Sequence, residues 1–208
     1  MKKTYMMVIV VVAVMLLTAG MAMAAISETK HNLSSNASWT VKGDIAEICI
    51  YCHTPHGGDS TIPLWNRAAG TVPVTPYSIV SGTARMPNFL SGVSRACMTC
   101  HDGSTAINSM TNVGGSAKVG SVMITDPFTL LGSNMSNDHP VGVPMNPLTD
   151  LPAGYIDPGT GGQTAKTFGT THTVECASCH DVHGVTGVGL FLRAANTDSA
   201  LCFACHDK

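Results

Sequence analysis

The chain has 208 residues, with 11 Lys and Arg against 13 Asp and Glu, a formal charge of −2 and only 12% charged residues. That balance offers no basic patch for nucleic acid. The 44% hydrophobic content is inflated by the largely apolar stretch from Met1 to Ala24.

That stretch reads as a secretory signal peptide. Lys2 and Lys3 form a basic n-region, Tyr5 to Leu17 is an apolar run, and Ala22-Met23-Ala24 places small residues at a cleavage site. The run is shorter than the ~18 apolar residues that suggest a membrane span, and no later run could cross a membrane. Residues 1–24 are therefore assigned to the signal peptide and residues 25–208 to a single domain. Loss of Lys2 and Lys3 leaves nine basic residues against 13 acidic ones, a formal charge of −4.

Four C-x-x-C-H units follow in chain order: Cys49/Cys52/His53, Cys97/Cys100/His101, Cys176/Cys179/His180 and Cys202/Cys205/His206. They use all eight cysteines. Disulfides would not require a histidine after every second cysteine, and the repeated unit fits zinc spacing poorly. C-x-x-C-H is the attachment signature of a c-type haem. Four covalently attached haem c groups are expected, each held by two thioethers, with His53, His101, His180 and His206 as proximal ligands.

The motifs are unevenly spaced, with the longest gap between the second and third and the shortest between the third and fourth. The intervening chain is rich in turn formers, as in "GGSAKVGSVMITDP" and "DLPAGYIDPGTGGQTAKTFG". The expected fold class is mostly irregular coil with short helices around the motifs and little strand, a haem-centred multihaem cytochrome c. "TVPVTPYSIV" can hold a short strand, which Pro73 and Pro76 confine to a sheet edge. Trp39 and Trp65 are expected to pack on haem.

The nine histidines include five beyond the motifs: His31, His56, His139, His172 and His183. A second protein ligand closes a haem iron and leaves electron transfer, whereas an open position permits small-molecule chemistry. Five candidates for four irons favour bis-histidine ligation throughout over ligation by Met86, Met98, Met110, Met123, Met135 or Met145. His56 and His183 each follow a motif histidine by three positions, on the proximal face of their own haem. They can serve only a different haem. His183 lies close in sequence to the fourth motif and is expected to serve it or a neighbour. His139 precedes a proline that holds it extended. His31 lies in a polar arm. His172, shortly before Cys176, is expected to be the spare.

The segments "KHNLS", "CIYCHTPHGG", "PLWNR", "SRACMTCHDG", "DHPVGV", "VECASCHDVHG", "FLR" and "LCFACHDK" span nearly all of the chain beyond residue 24. Together they resemble a family of exported multihaem c-type cytochromes of metal-respiring bacteria. The resemblance implies a secreted, cell-surface electron-transfer protein and not an enzyme. It implies polymerisation into a conductive extracellular filament. It also implies electron supply from outer-membrane or periplasmic cytochromes and delivery to acceptors such as metal oxides. A head-to-tail homopolymer needs a contact that does not close on itself, and a histidine donated between subunits would make one. His56 is the favoured donor and His31 the second choice. The competing readings are a soluble periplasmic electron shuttle and a haem reductase with one open iron. The first needs a charged docking face, and the second an acid–base set that does not stand out.

Overall fold

The computed structural model describes residues 24–60, 62–68, 72–77, 86–113, 122–145, 154–183 and 188–207; the expected signal peptide, apart from Ala24, lies outside them. Regular structure is sparse. Four α-helices are described: α1 (Ala24–Ser27), α2 (Gly92–His101), α3 (Cys176–Cys179) and α4 (Ala200–Phe203). Three 3-10 turns, at Cys49–Tyr51, Gly189–Phe191 and Thr197–Ser199, accompany them. The rest is coil apart from two antiparallel ribbons. One pairs β1 (Val72–Pro73) with β2 (Phe89–Leu90), and the other pairs β3 (Val143–Pro144) with β4 (Thr173–Val174). The expected fold class, mostly coil with short helices and little strand, is what the structure shows. Pro73 is tolerated because its ribbon has only two strands, so both are edges.

Among the described residues the apolar packing forms two small clusters. The first gathers Val74, Leu90, Met98, Met135, Val141 and Val143, with Cys176 against it. The second is built on Leu33, Tyr51 and Ile107, with Cys52 and Met110 against it. Met86, Met98, Met135 and Met145 are all buried. Each cluster thus abuts a motif cysteine, so the sparse apolar packing is concentrated beside the motifs.

Polar anchors hold the irregular chain between them. Asn66 is fully buried: its amide donates to the carbonyls of Ile50 (2.6 Å) and Asn112 (2.8 Å), and its own carbonyl accepts the Asn112 N–H at 2.8 Å. Three hydrogen bonds from one side chain there tie the first motif to Asn112, 46 positions downstream of Asn66. At the start of α2 the chain turns through Gly92 at φ +55°, and a Cβ there would lie 2.8 Å from Glu175 Oε1. Glycine is required on both counts. The close approach lets α2 pack against α3. Among the described residues no helix is long and apolar enough to cross a membrane.

Candidate functional site

Each motif forms a turn. The N–H of His53 donates to Cys49 O at 2.8 Å, that of His180 to Cys176 O at 3.1 Å and that of His206 to Cys202 O at 3.0 Å. Cys97, Cys100 and His101 occupy the last turns of α2. One helical turn brings positions i, i+3 and i+4 to one face, so both thiols and the histidine of each unit can reach a single haem.

Successive motifs are neighbours through their thiols. Burial pushes the Cys52 thiol up to about 12, and the nearby Cys100 adds to the shift. Cys97 is raised by a hydrogen bond with Cys176 and by burial. Burial also raises Cys179, with Cys202 close by, and raises Cys205 to about 11, with Cys179 and Asp157 beside it. The motifs therefore abut in the order first, second, third, fourth. All eight cysteines are free. Among the described residues no group of three or more His, Cys, Asp or Glu is arranged to hold a metal ion by itself.

The histidines fall into pairs. His31 faces His101, His53 faces His183 and His139 faces His206, each with ring centroids 6.2 Å apart. Two imidazoles on opposite sides of one metal, with bonds of about 2.0–2.1 Å and ring nitrogens roughly 1 Å from the ring centres, would have centroids about 6.3 Å apart. Three motif histidines each meet one non-motif histidine at the separation a shared iron requires. The residues present fit the group.

The ring hydrogen bonds favour the same use. The Nδ1–H of His101 donates to Thr129 O at 2.6 Å, that of His180 to Leu190 O at 3.0 Å and that of His139 to Pro140 O at 3.0 Å. A ligand histidine held through Nδ1 presents Nε2 to the metal. His31 has a lowered pKa of about 4, through burial first and then the proximity of His101, His180 and His183. It is neutral near pH 7, the form that ligates metal. His53 is lowered by burial and by His183.

The remaining candidates sit differently. His183, expected to serve the fourth motif or a neighbour, faces His53 of the first motif. His56 is exposed, with its carbonyl bonded by Thr54 and Asn112. His172 is held at φ +49°, its Nδ1 hydrogen-bonded to the Asp157 carboxylate. Among the described residues no imidazole pairs with His180 as the other motif histidines are paired. Trp65 stands edge-on to His53 with centroids 5.9 Å apart, and Lys30 lies 4.1 Å over Trp39.

Two buried charged residues were not singled out from the sequence. Arg67 is 1% exposed and bonds the carbonyls of Thr99, Ala106 and Ile107. Glu175 is 4% exposed and accepts from Ser94 on α2. Arginine in "PLWNR" and glutamate in "VECASCH" carry no periodicity or spacing that announces burial.

Residues 171–208 match the sequence family described as the doubled CXXCH motif, which covers the third and fourth motifs. The match marks haem-binding c-type cytochrome motifs, indicates covalent haem c binding and supports a multihaem c-type cytochrome with a role in electron transfer. No curated protein matches the chain.

Proposed function

We propose that the chain is an exported tetrahaem electron-transfer protein whose mature form, residues 25–208, assembles head-to-tail into an extracellular filament. The observation behind the electron-transfer reading is the set of three imidazole pairs at 6.2 Å, each joining a motif histidine to one from elsewhere in the chain. Bound haem c supplies a one-electron iron couple, closed to substrates where two histidines hold it. The chain's residues do the rest. The eight cysteines fix four groups, with His53, His101, His180 and His206 proximal. His183, His31 and His139 would supply the second histidine at the first, second and fourth sites. Thr129, Leu190 and Pro140 orient the rings of His101, His180 and His139 through Nδ1. The abutting thiols keep successive sites at short range, as a conduit for electrons requires.

The third site is where assembly enters. His180 has no facing imidazole among the described residues, while His56 is exposed. His56 of a second copy would complete that site and generate an open polymer. His31 is engaged with His101 in its own chain, which leaves His56 the better donor. The tetrahaem count, the size and the low charge are similar to those of the outer-surface cytochrome OmcE, which supports filament formation at the cell surface. Outer-membrane or periplasmic cytochromes as donors and metal oxides as acceptors belong to the same reading.

Negative-stain microscopy of the secreted fraction tests it, with His56→Ala as the control. Filaments lost in that variant, with secretion and four haems retained, support donation. A secreted wild-type protein that stays monomeric with all irons low-spin overturns it and favours the soluble shuttle. The unpaired His180 also gives the enzyme reading its one foothold. A high-spin signal from one haem in four, persisting in assembled protein, would favour that reading.

A further inference from the structure

Among the described residues Arg67 is a buried cation with no ion-pair partner, lying beside two of the motifs. The backbone on either side of this residue is tied to two motifs. The N–H of Asn66 donates to Cys52 O at 2.8 Å, and Arg67 Nη2 donates to Thr99 O, next to Cys100, at 3.0 Å. Nη1 donates to Ile107 O at 2.6 Å, and Nη2 also donates to Ala106 O at 2.5 Å. Among the described residues only neutral carbonyls meet the cation, and its buried Nε has no partner. Among the described residues the other arginines near the motifs are neutralised. Arg95 pairs with Asp59 at 3.1 Å, and Arg193, bonded to Ala177 O in the third motif, pairs with Asp181 at 3.5 Å.

A guanidinium stays charged in a protein, and a charge with no counter-ion in a medium of low effective dielectric acts at longer range than one in water. The geometry points to Arg67 as an electrostatic tuning residue. It holds an uncompensated positive charge at the junction of the first and second haem sites and raises the reduction potentials of those two irons above those of the third and fourth. The inference rests on haem attachment at those sites. One-electron reduction of ferric to ferrous iron removes a unit of positive charge from the site. A fixed cation nearby therefore favours the ferrous state. Burial protects this effect from salt screening. Electrons would then settle at the N-terminal end of each subunit.

The test is a spectroscopic redox titration of the haem-loaded full chain, after denatured mass has confirmed four haems, so that loss of a haem is not mistaken for loss of tuning. Arg67→Gln should lower the two highest midpoints and leave the two lowest unchanged. Four unmoved midpoints, or four that fall together, overturn the proposal. Arg67→Lys provides the second reading should the glutamine variant fail to mature. A buried ammonium gives up its proton as pH rises, unlike the guanidinium. The titratable groups near Arg67 are Cys52 and Cys100, both consumed by attachment; Asp102, near Cys100, has its carboxylate bonded by Ser104 and Thr105 and not by Arg67. The lysine variant should keep the two high midpoints at pH 6 and lose them toward pH 9, while the wild type stays flat. Equal pH profiles in the two proteins overturn the proposal.

Discussion

Glu175 reaches from the third motif into the first turn of α2, where its carboxylate accepts the Ser94 N–H at 3.0 Å and the Ser94 hydroxyl. Ser94 Oγ in turn accepts the Cys176 N–H at 2.9 Å. The pair locks the second motif's helix to the third motif's first cysteine across 82 residues of chain. Removing the carboxylate strands buried donors, which costs about 1–3 kcal/mol. Glu175→Ala should lower the denaturation midpoint accordingly, and Glu175→Gln, which keeps an acceptor, should lower it less. A silent alanine variant would show that the contact adds nothing.

The same carboxylate has a pH signature. Burial raises its pKa, and the bonds from Ser94 offset this only in part. The folded state thus binds the proton more tightly than the unfolded chain. The associated stability is fully present below the unfolded pKa and is lost as pH rises through the folded value. Denaturation measured across that window should show a falling limb in the wild type that is absent in Glu175→Gln.

Gly92→Ala should destabilise the protein by about 1–2 kcal/mol for the left-handed backbone alone. The Cβ contact with Glu175 adds to this. The variant should unfold at lower denaturant with its second haem attached, because neither Cys97 nor Cys100 is moved.

His183→Ala should turn one haem in four high-spin and leave the others low-spin, and His31→Ala should do the same at a second site. Electron paramagnetic resonance of the double variant should report both signals, because the first and second sites are separate. A single shared signal would contradict the pairing.

Denatured mass should equal the mature chain plus four haems. Replacing Cys49 and Cys52 together by alanine should remove one haem and spare the three downstream.

The motifs, the coil-rich fold and the short helices at the thiols were legible in the sequence, because C-x-x-C-H spacing and Gly/Pro content act locally. The pairing of histidines was not. His31 lies far upstream of His101, and His183 sits beside a motif it does not face. Such partners are set by how the coil is folded back, through anchors like Asn66 and Glu175 whose burial no local pattern records. The count of five candidate histidines beside four motifs does not say which motif histidine each one faces.

The facing of His53 and His183, their ring planes 12° from parallel, has a consequence in time. His183 lies far toward the C-terminus from His53, so it is made long after it. A nascent chain emerging N-terminus first presents its first motif early, well before the imidazole that faces it exists. The second and fourth pairs have no such delay, since His31 precedes His101 and His139 precedes His206. Of the three sites paired within the chain, the first to emerge therefore waits the longest for its partner. Truncation anywhere before His183 leaves that earliest site half-built, however intact its own sequence.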